Sequence, residues 1–194
     1  GVILSATDAL NWWAMLAQQS VPILIQALGE QLRPPSPVMF LPYLAGERTP
    51  HNDAAIRGAF VGLSHDSERT TLTQAVLEGV AFAIRDNLAA LQSAGTSLHR
   101  VTAVGGGSRS HYWLTVLATV LNLPIDIPAE GDIGAAFGAA RLALIAAESI
   151  APEQVLTVPP IEQTILPVLE RVPDFEAAYQ RYRQGYRSLK LIPS

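Results

Sequence analysis

Apolar residues recur at helical spacing over 7–32, where Leu10, Trp13, Leu16, Ala17, Ile23, Ala27 and Leu28 fall near one face. Pro22 divides that run into two helices, and Thr7 or Asp8 is placed to cap the first. A Pro-rich connector at 33–37 leads to Val38-Met39-Phe40-Leu41, an apolar run short enough for a buried strand. Residues 58–63 read as a second short strand. Residues 68–92 then read as one long helix, with Leu72, Ala75, Val76, Gly79, Val80 and Ala83 as an inward stripe whose small members permit close packing.

The second half alternates more clearly. Residues 100–104 form a strand, Gly105-Gly106-Gly107-Ser108 a turn and 109–122 a helix; 123–127 supply another strand, and 132–148 a helix dense in Ala and Gly. Residues 151–173 are Pro-rich and expected to be irregular, and 174–191 close the chain as an amphipathic helix. The pattern predicts an α/β core in a single domain.

Composition narrows what this core can do. With 194 residues, 49% of them hydrophobic and 15% charged, the chain can bury one substantial core. The formal charge of −4 gives no basic field for nucleic acid or an anionic membrane, so any phosphate must be held locally. Cysteine is absent and only four histidines are available, which removes disulfides and cysteine-ligated metals. No stretch approaches the ~20 apolar residues that span a bilayer. The opening Gly-Val-Ile-Leu-Ser carries no basic leader, so the chain reads as soluble and unexported. A start without Met reads as that of a fragment, although processing leaves the same kind of end.

The triple glycine carries the most direct chemistry. A strand ending in residues without Cβ lets a ligand's phosphates approach the backbone, and the following helix points unpaired N–H groups at an anion. Ser108 and Ser110 are placed to cap that helix or to donate to a phosphate. Neither the Walker spacing nor the Gly-x-Gly-x-x-Gly fingerprint is present, and a purely structural turn uses glycines here too. The small residues of 134–140 leave a flat helix surface suited to a ligand's ring or, more commonly, to another helix. Residues 42–53 crowd Glu47, Arg48, His51 and Asp53 between two strands. Such a loop either carries function or is held in shape by its own ion pairs, Glu47 beside Arg48 and Asp53 near Arg57. His51 and His65 lack companions at metal-ligand spacing, and Trp12 and Trp13 read as core and surface residues.

Taken in order, these segments resemble the FGGY carbohydrate kinases over nearly the whole chain. The block Phe40-Leu-Pro-Tyr-Leu-Ala-Gly-Glu-Arg-Thr-Pro-His-Asn-Asp53, with Arg57-Gly58-Ala59-Phe60 and Gly62-Leu63, looks like the form of a family landmark found in members that act on xylulose. Gluconate kinases share part of it but tend to place a tryptophan after the Thr-Pro where this chain has His51-Asn52. Residues 58–78 fit a second family signature, departing from it at Thr71. Val104-Gly-Gly-Gly-Ser-Arg-Ser-His-Tyr-Trp113 resembles the nucleotide loop, 134–140 the helix after it, and 179–190 the closing helix.

The resemblance implies an α/β, ribonuclease H-like (actin-like ATPase) fold, with 1–194 as a partial C-terminal, nucleotide-binding domain and a sugar-binding N-terminal domain outside this chain. It implies a cytoplasmic enzyme, with a homodimer as its candidate assembly, that uses ATP and Mg2+ to phosphorylate D-xylulose to D-xylulose 5-phosphate. Gluconate or ribulose kinases and a non-catalytic nucleotide-binding or dimerising module are the alternatives. Gly105, Gly106, Gly107 and Ser108 match the turn near the nucleotide phosphates, His111 an adenosine-side contact, and Thr7 and Asn11 positions approaching the nucleotide, with Thr7 replacing a usual glycine. No aspartate here sits in the Gly-Asp context of the family's general base. That base is expected upstream, and half a cleft does not hold donor, acceptor, metal and base in line.

Overall fold

The computed structural model describes residues 1–129 and 134–192. Its centre is one long helix. Helices α1 (Thr7–Ala17) and α2 (Val21–Gln26) lead to strand β1 (Met39–Leu41), which pairs antiparallel with β2 (Ala59–Val61), Phe40 opposite Phe60. Helix α3 (Arg69–Ser93) packs beneath this ribbon and against α1. Gly79 makes the first contact possible, because a Cβ there would strike the Phe40 carbonyl oxygen.

Every residue from 73 to 83 is buried, so α3 is enclosed on all sides rather than along one stripe. Its buried polar residues make hydrogen bonds that tie down other segments, though Asn87 Oδ1 has no partner among the described residues. Thr73 Oγ1 accepts from Trp13 Nε1 of α1 at 2.9 Å, and Gln74 Nε2 donates to the Pro34 carbonyl at 2.6 Å. Both Glu78 carboxylate oxygens accept from Ser36 N, at 3.1 and 3.0 Å. Asn87 Nδ2 donates to the Thr49 carbonyl at 3.1 Å.

The other layer is a three-stranded sheet. Strand β3 (Val101–Thr102) runs parallel to β4 (Ile125–Pro128), joined to it through α4 (His111–Leu121). Strand β5 (Ile161–Ile165) adds antiparallel to β4. Helix α7 (Val172–Leu189) closes the core with Phe175, Ala178, Tyr179 and Tyr182. Between β4 and β5 lie α5 (Ala135–Glu148) and the short α6 (Pro152–Val155).

Several expectations are corrected here. Neither Thr7 nor Asp8 caps α1; Ala6 occupies the cap position and gives no side-chain bond, while Gln18 in the left-handed region ends the helix before Pro22 begins α2. Leu16 and Ile23 face outward instead of joining Leu10, Trp13, Leu24 and Leu28 in the core. The segment 151–173 is not irregular, since it contains α6 and β5. None of the residues of α5 is buried, and among the described residues its contacts are with α6 and, through Arg141, with Thr157, so the small face is not tightly packed. The predicted start of that helix at Asp132 lies outside the described residues.

Candidate functional site

Strand β3 ends at Thr102, and the chain leaves it through Ala103 and Val104 into Gly105, at φ 85° and ψ −175°, a backbone conformation essentially restricted to glycine. A single 3-10 turn, Gly106–Arg109, then delivers Ser110 to the start of α4. Ser110 Oγ caps that helix by accepting from Trp113 N at 3.2 Å. The Ser108 hydroxyl donates to the Gly105 carbonyl at 2.7 Å, so its proton holds the turn; the cap of α4 falls to Ser110 and not to Ser108.

The three glycines differ in what surrounds them. A Cβ on Gly105 or Gly106 would meet nothing within 4 Å, so both present bare main chain to open space. A Cβ on Gly107 would lie 2.6 Å from Trp113 Cζ3; that glycine is required by the indole packed behind it.

The turn forms one lip of a cleft of about 380 Å3, within the ordinary ~300–1,000 Å3 range of small-molecule sites. Ala6 and Thr7 lie on the lining with Gly105, Gly106, Gly107 and Ser108, above an apolar floor that includes Ile84, Val101, Leu114 and Ile125. Thus Thr7, a hundred residues away in sequence, is brought to the glycine turn. Asn11, one helical turn beyond Thr7, and His111, the first residue of α4, are exposed and lie outside that lining. Among the described residues no carboxylate or imidazole lines the cleft. What it presents to a ligand is the main chain of the glycine turn above an apolar floor.

The acid-rich loop at 42–53 lies elsewhere and is held largely by itself and by α7. Glu47 N donates to the Asp53 carbonyl at 2.9 Å and Asp53 N to that of Glu47 at 2.8 Å. Asp53 Oδ1 accepts from the amides of Ala55 and Ile56, while Arg57 donates to the carbonyls of Ala54, Ala55 and Ile56; the expected Asp53–Arg57 pair is replaced by these main-chain bonds. Tyr43 donates to the Tyr182 hydroxyl at 2.9 Å, and the His51 ring stacks on Tyr186 at 3.5 Å with Nε2 3.7 Å from Asp86. Burial pushes the His51 pKa down despite Asp86, and raises those of Glu47 and Asp86. A second hollow of about 390 Å3 lies between this loop and α7, but its charges are already engaged: Lys190 lies 3.8 Å from Asp53, and Arg57 is bound to carbonyls. No cluster of three metal-capable side chains occurs among the described residues, and no helix there is long and apolar enough to cross a membrane.

Sequence reasoning missed one contributor: Trp113 shapes the glycine turn from behind, signalled by a bulky residue at the start of an apolar helix. Glu47, counted among the crowded charges of 42–53, proves almost fully buried, at 3% exposure, which the local pattern does not signal.

Comparison with known proteins agrees with the fold and the order of motifs. Residues 5–147 match the C-terminal domain of the FGGY family of carbohydrate kinases. The chain is 43% identical to the xylulose kinase of Escherichia coli K12, over 99% of this chain and 40% of that protein. It is 39% identical to the xylulose kinase of Klebsiella pneumoniae, over 100% of this chain and again 40% of the relative. The crystal structure of a xyloylose kinase from Brucella ovis superposes with a TM-score of 0.92 at 57% identity, covering 98% of this chain and 39% of that one. The present chain therefore spans about 40% of the length of these relatives. Its mixed α/β architecture is that of the C-terminal domain of two-domain kinases with the actin-like ATPase fold. The chain belongs to the FGGY family of carbohydrate kinases.

Proposed function

We propose that this chain is the nucleotide-binding C-terminal domain, in part, of a kinase that transfers the terminal phosphoryl group of ATP to D-xylulose, giving D-xylulose 5-phosphate in the cytoplasm. The observation that carries the reading is the bare main chain of Gly105 and Gly106 at the lip of the cleft, immediately before the start of α4. The names of the relatives support xylulose as the acceptor.

In this reading the amides of the glycine turn and the α4 start hold the polyphosphate. Thr7 and Asn11 approach the nucleotide from α1, and His111 approaches its adenosine side. Mg2+ would enter with the nucleotide and offset the charge of its phosphates; none of the described residues lining the cleft is a carboxylate that would hold it. The general base and the sugar contacts belong to the rest of the enzyme. Most of the catalysis is positioning and charge stabilisation, so the half described here contributes by fixing the donor.

The test is ADP release by the complete enzyme offered xylulose, gluconate, ribulose or glycerol. Xylulose is expected to give a kcat/KM at least roughly tenfold above the others, the scale a few selective polar contacts provide. No turnover of xylulose refutes the assignment.

A further inference from the structure

Between its two ends, on β3 and α4, the glycine turn is bonded only to itself. Among the described residues the hydrogen bonds of 105–108 stay within 105–110: Ser108 N and the Ser108 hydroxyl both donate to the Gly105 carbonyl, and Ser110 N donates to that of Gly107 at 3.3 Å. These bonds give the turn its shape but do not set how far it stands out into the cleft. Nothing lies over it, since a Cβ on Gly105 or Gly106 would meet nothing within 4 Å. Trp113 lies beneath it. The three atoms nearest to a Cβ on Gly107 all belong to that indole, Cζ3 at 2.6 Å, Cε3 at 3.3 Å and Cη2 at 3.5 Å.

The indole is a fixed support. It is 4% exposed, and its Nε1 donates at 3.2 Å to the Leu77 carbonyl of α3, within the stretch 73–83 that is buried throughout. Recession of the ring would break that bond and disturb a close-packed interior, whereas the turn above it faces open space. A methyl on Gly107 must stand off from the ring by the ~3.5–4.0 Å of ordinary carbon contact, about 1 Å more than the turn now allows. Gly107 uses no left-handed backbone conformation, so the ring alone bars a side chain there. An N–H···O bond is made between ~2.7 and ~3.2 Å, and a rise of about 1 Å takes the turn's amides out of reach of a phosphate held by the rest of the cleft.

We infer that Trp113 is a positioning residue for the nucleotide: the edge of its indole, tied to α3, sets how far the amides of Gly106 and Gly107 stand out into the cleft. The inference rests on reading that cleft as the nucleotide site. Trp113 acts through Gly107 and touches no reacting atom in this account.

The experiment is steady-state kinetics of the complete enzyme carrying Gly107→Ala, Trp113→Phe, the two together, or Gly106→Val. Gly107→Ala lifts the turn, and Trp113→Phe, a smaller ring without the N–H, lets it sink. Each is expected to raise KM for ATP roughly fivefold, the weight of one hydrogen bond, with KM for the sugar changed less than about twofold. In the double variant the methyl takes the space that the indole edge gives up, and KM for ATP is expected to return to within about twofold of the parent. Substitutions that merely weaken the fold lower kcat by reducing the active fraction, leave KM for ATP alone and do not cancel; that pattern, or KM effects that multiply in the double variant, overturns the inference. Should Trp113→Phe fail to fold, Gly107→Ala decides, and an unchanged KM for ATP overturns the inference. If Gly106→Val leaves KM for ATP unchanged, the nucleotide site itself is misassigned and the inference falls with it. If Gly106→Val raises it while Gly107→Ala and Trp113→Phe do not, the site stands and the positioning role falls.

Discussion

Glu78 offers a measurement of what burying a carboxylate costs in this fold. It is 3% exposed, and burial lifts its pKa from an ordinary 4.5 to about 7 although Gln74 and Ser36 N both favour the charged form. A group whose pKa is raised on folding contributes stability that is complete below the unfolded value and disappears as pH rises through the folded one. For Glu78 that window runs from 4.5 to about 7. At about 1.4 kcal/mol per unit, ionisation inside the fold costs on the order of 3 kcal/mol. Glu78→Gln cannot ionise and is free of this dependence. Urea unfolding of the two proteins across pH 4 to 8 is the assay, and the quantity read is their difference in unfolding free energy. That difference is expected to shift by ~2–3 kcal/mol in favour of the variant between the acid and alkaline ends. Taking the difference removes Asp86 and Glu47, whose pKa values are also raised, and Asp53 and Glu176, whose values are lowered. A difference constant to within about 0.5 kcal/mol across the range refutes the reasoning.

The two inner glycines separate packing from ligand access. Gly107→Val is expected to lose ~1–3 kcal/mol of stability by overpacking against Trp113, whereas Gly106→Val stays within about 0.5 kcal/mol of the parent in the same unfolding assay. Calorimetric titration should then show weaker ADP binding by the fully folded Gly106 variant; unchanged heat of binding moves the nucleotide elsewhere. Tyr182→Phe leaves the Tyr43 hydroxyl, on a residue only 1% exposed, without its acceptor, and should cost ~1–3 kcal/mol in urea unfolding; no loss shows that the hydroxyl is satisfied another way.

The order of elements was readable because apolar spacing and glycine act locally. Residues 68–92 predict α3 nearly to its ends, and the strand, glycine turn and helix predict the unit from β3 to α4. Enclosure of α3 was not readable, since Thr73, Gln74, Glu78, Asp86 and Asn87 look like a solvated face until their partners from distant segments are known. Strand β5 escaped notice because four of its five residues are exposed, and the tie of Thr164 to Asp126 on β4 has no local signature. The glycine turn was legible as a turn between strand and helix because glycine acts on the backbone itself. Thr7 entered only through the family resemblance, since no local pattern brings α1 to that turn. Glu47 stood out as a charge in the crowded 42–53 loop, but its burial was not legible, since a charged loop residue reads as solvated.

The hydroxyl bond between Tyr43 and Tyr182 spans 139 positions of sequence. Together with Phe175 and Tyr179, it makes α7 the final wall of the interior. During synthesis the preceding segments can form helices and hairpins as they emerge, but the aromatic partners of Phe82 and Tyr43 on α7 are missing until that helix leaves the ribosome. The newborn protein therefore passes through a stage in which its largest sticky surface is uncovered. Chaperone capture and premature termination act at that stage, because chains stopped before Phe175 carry every glycine of the cleft and still lack the means to close around them.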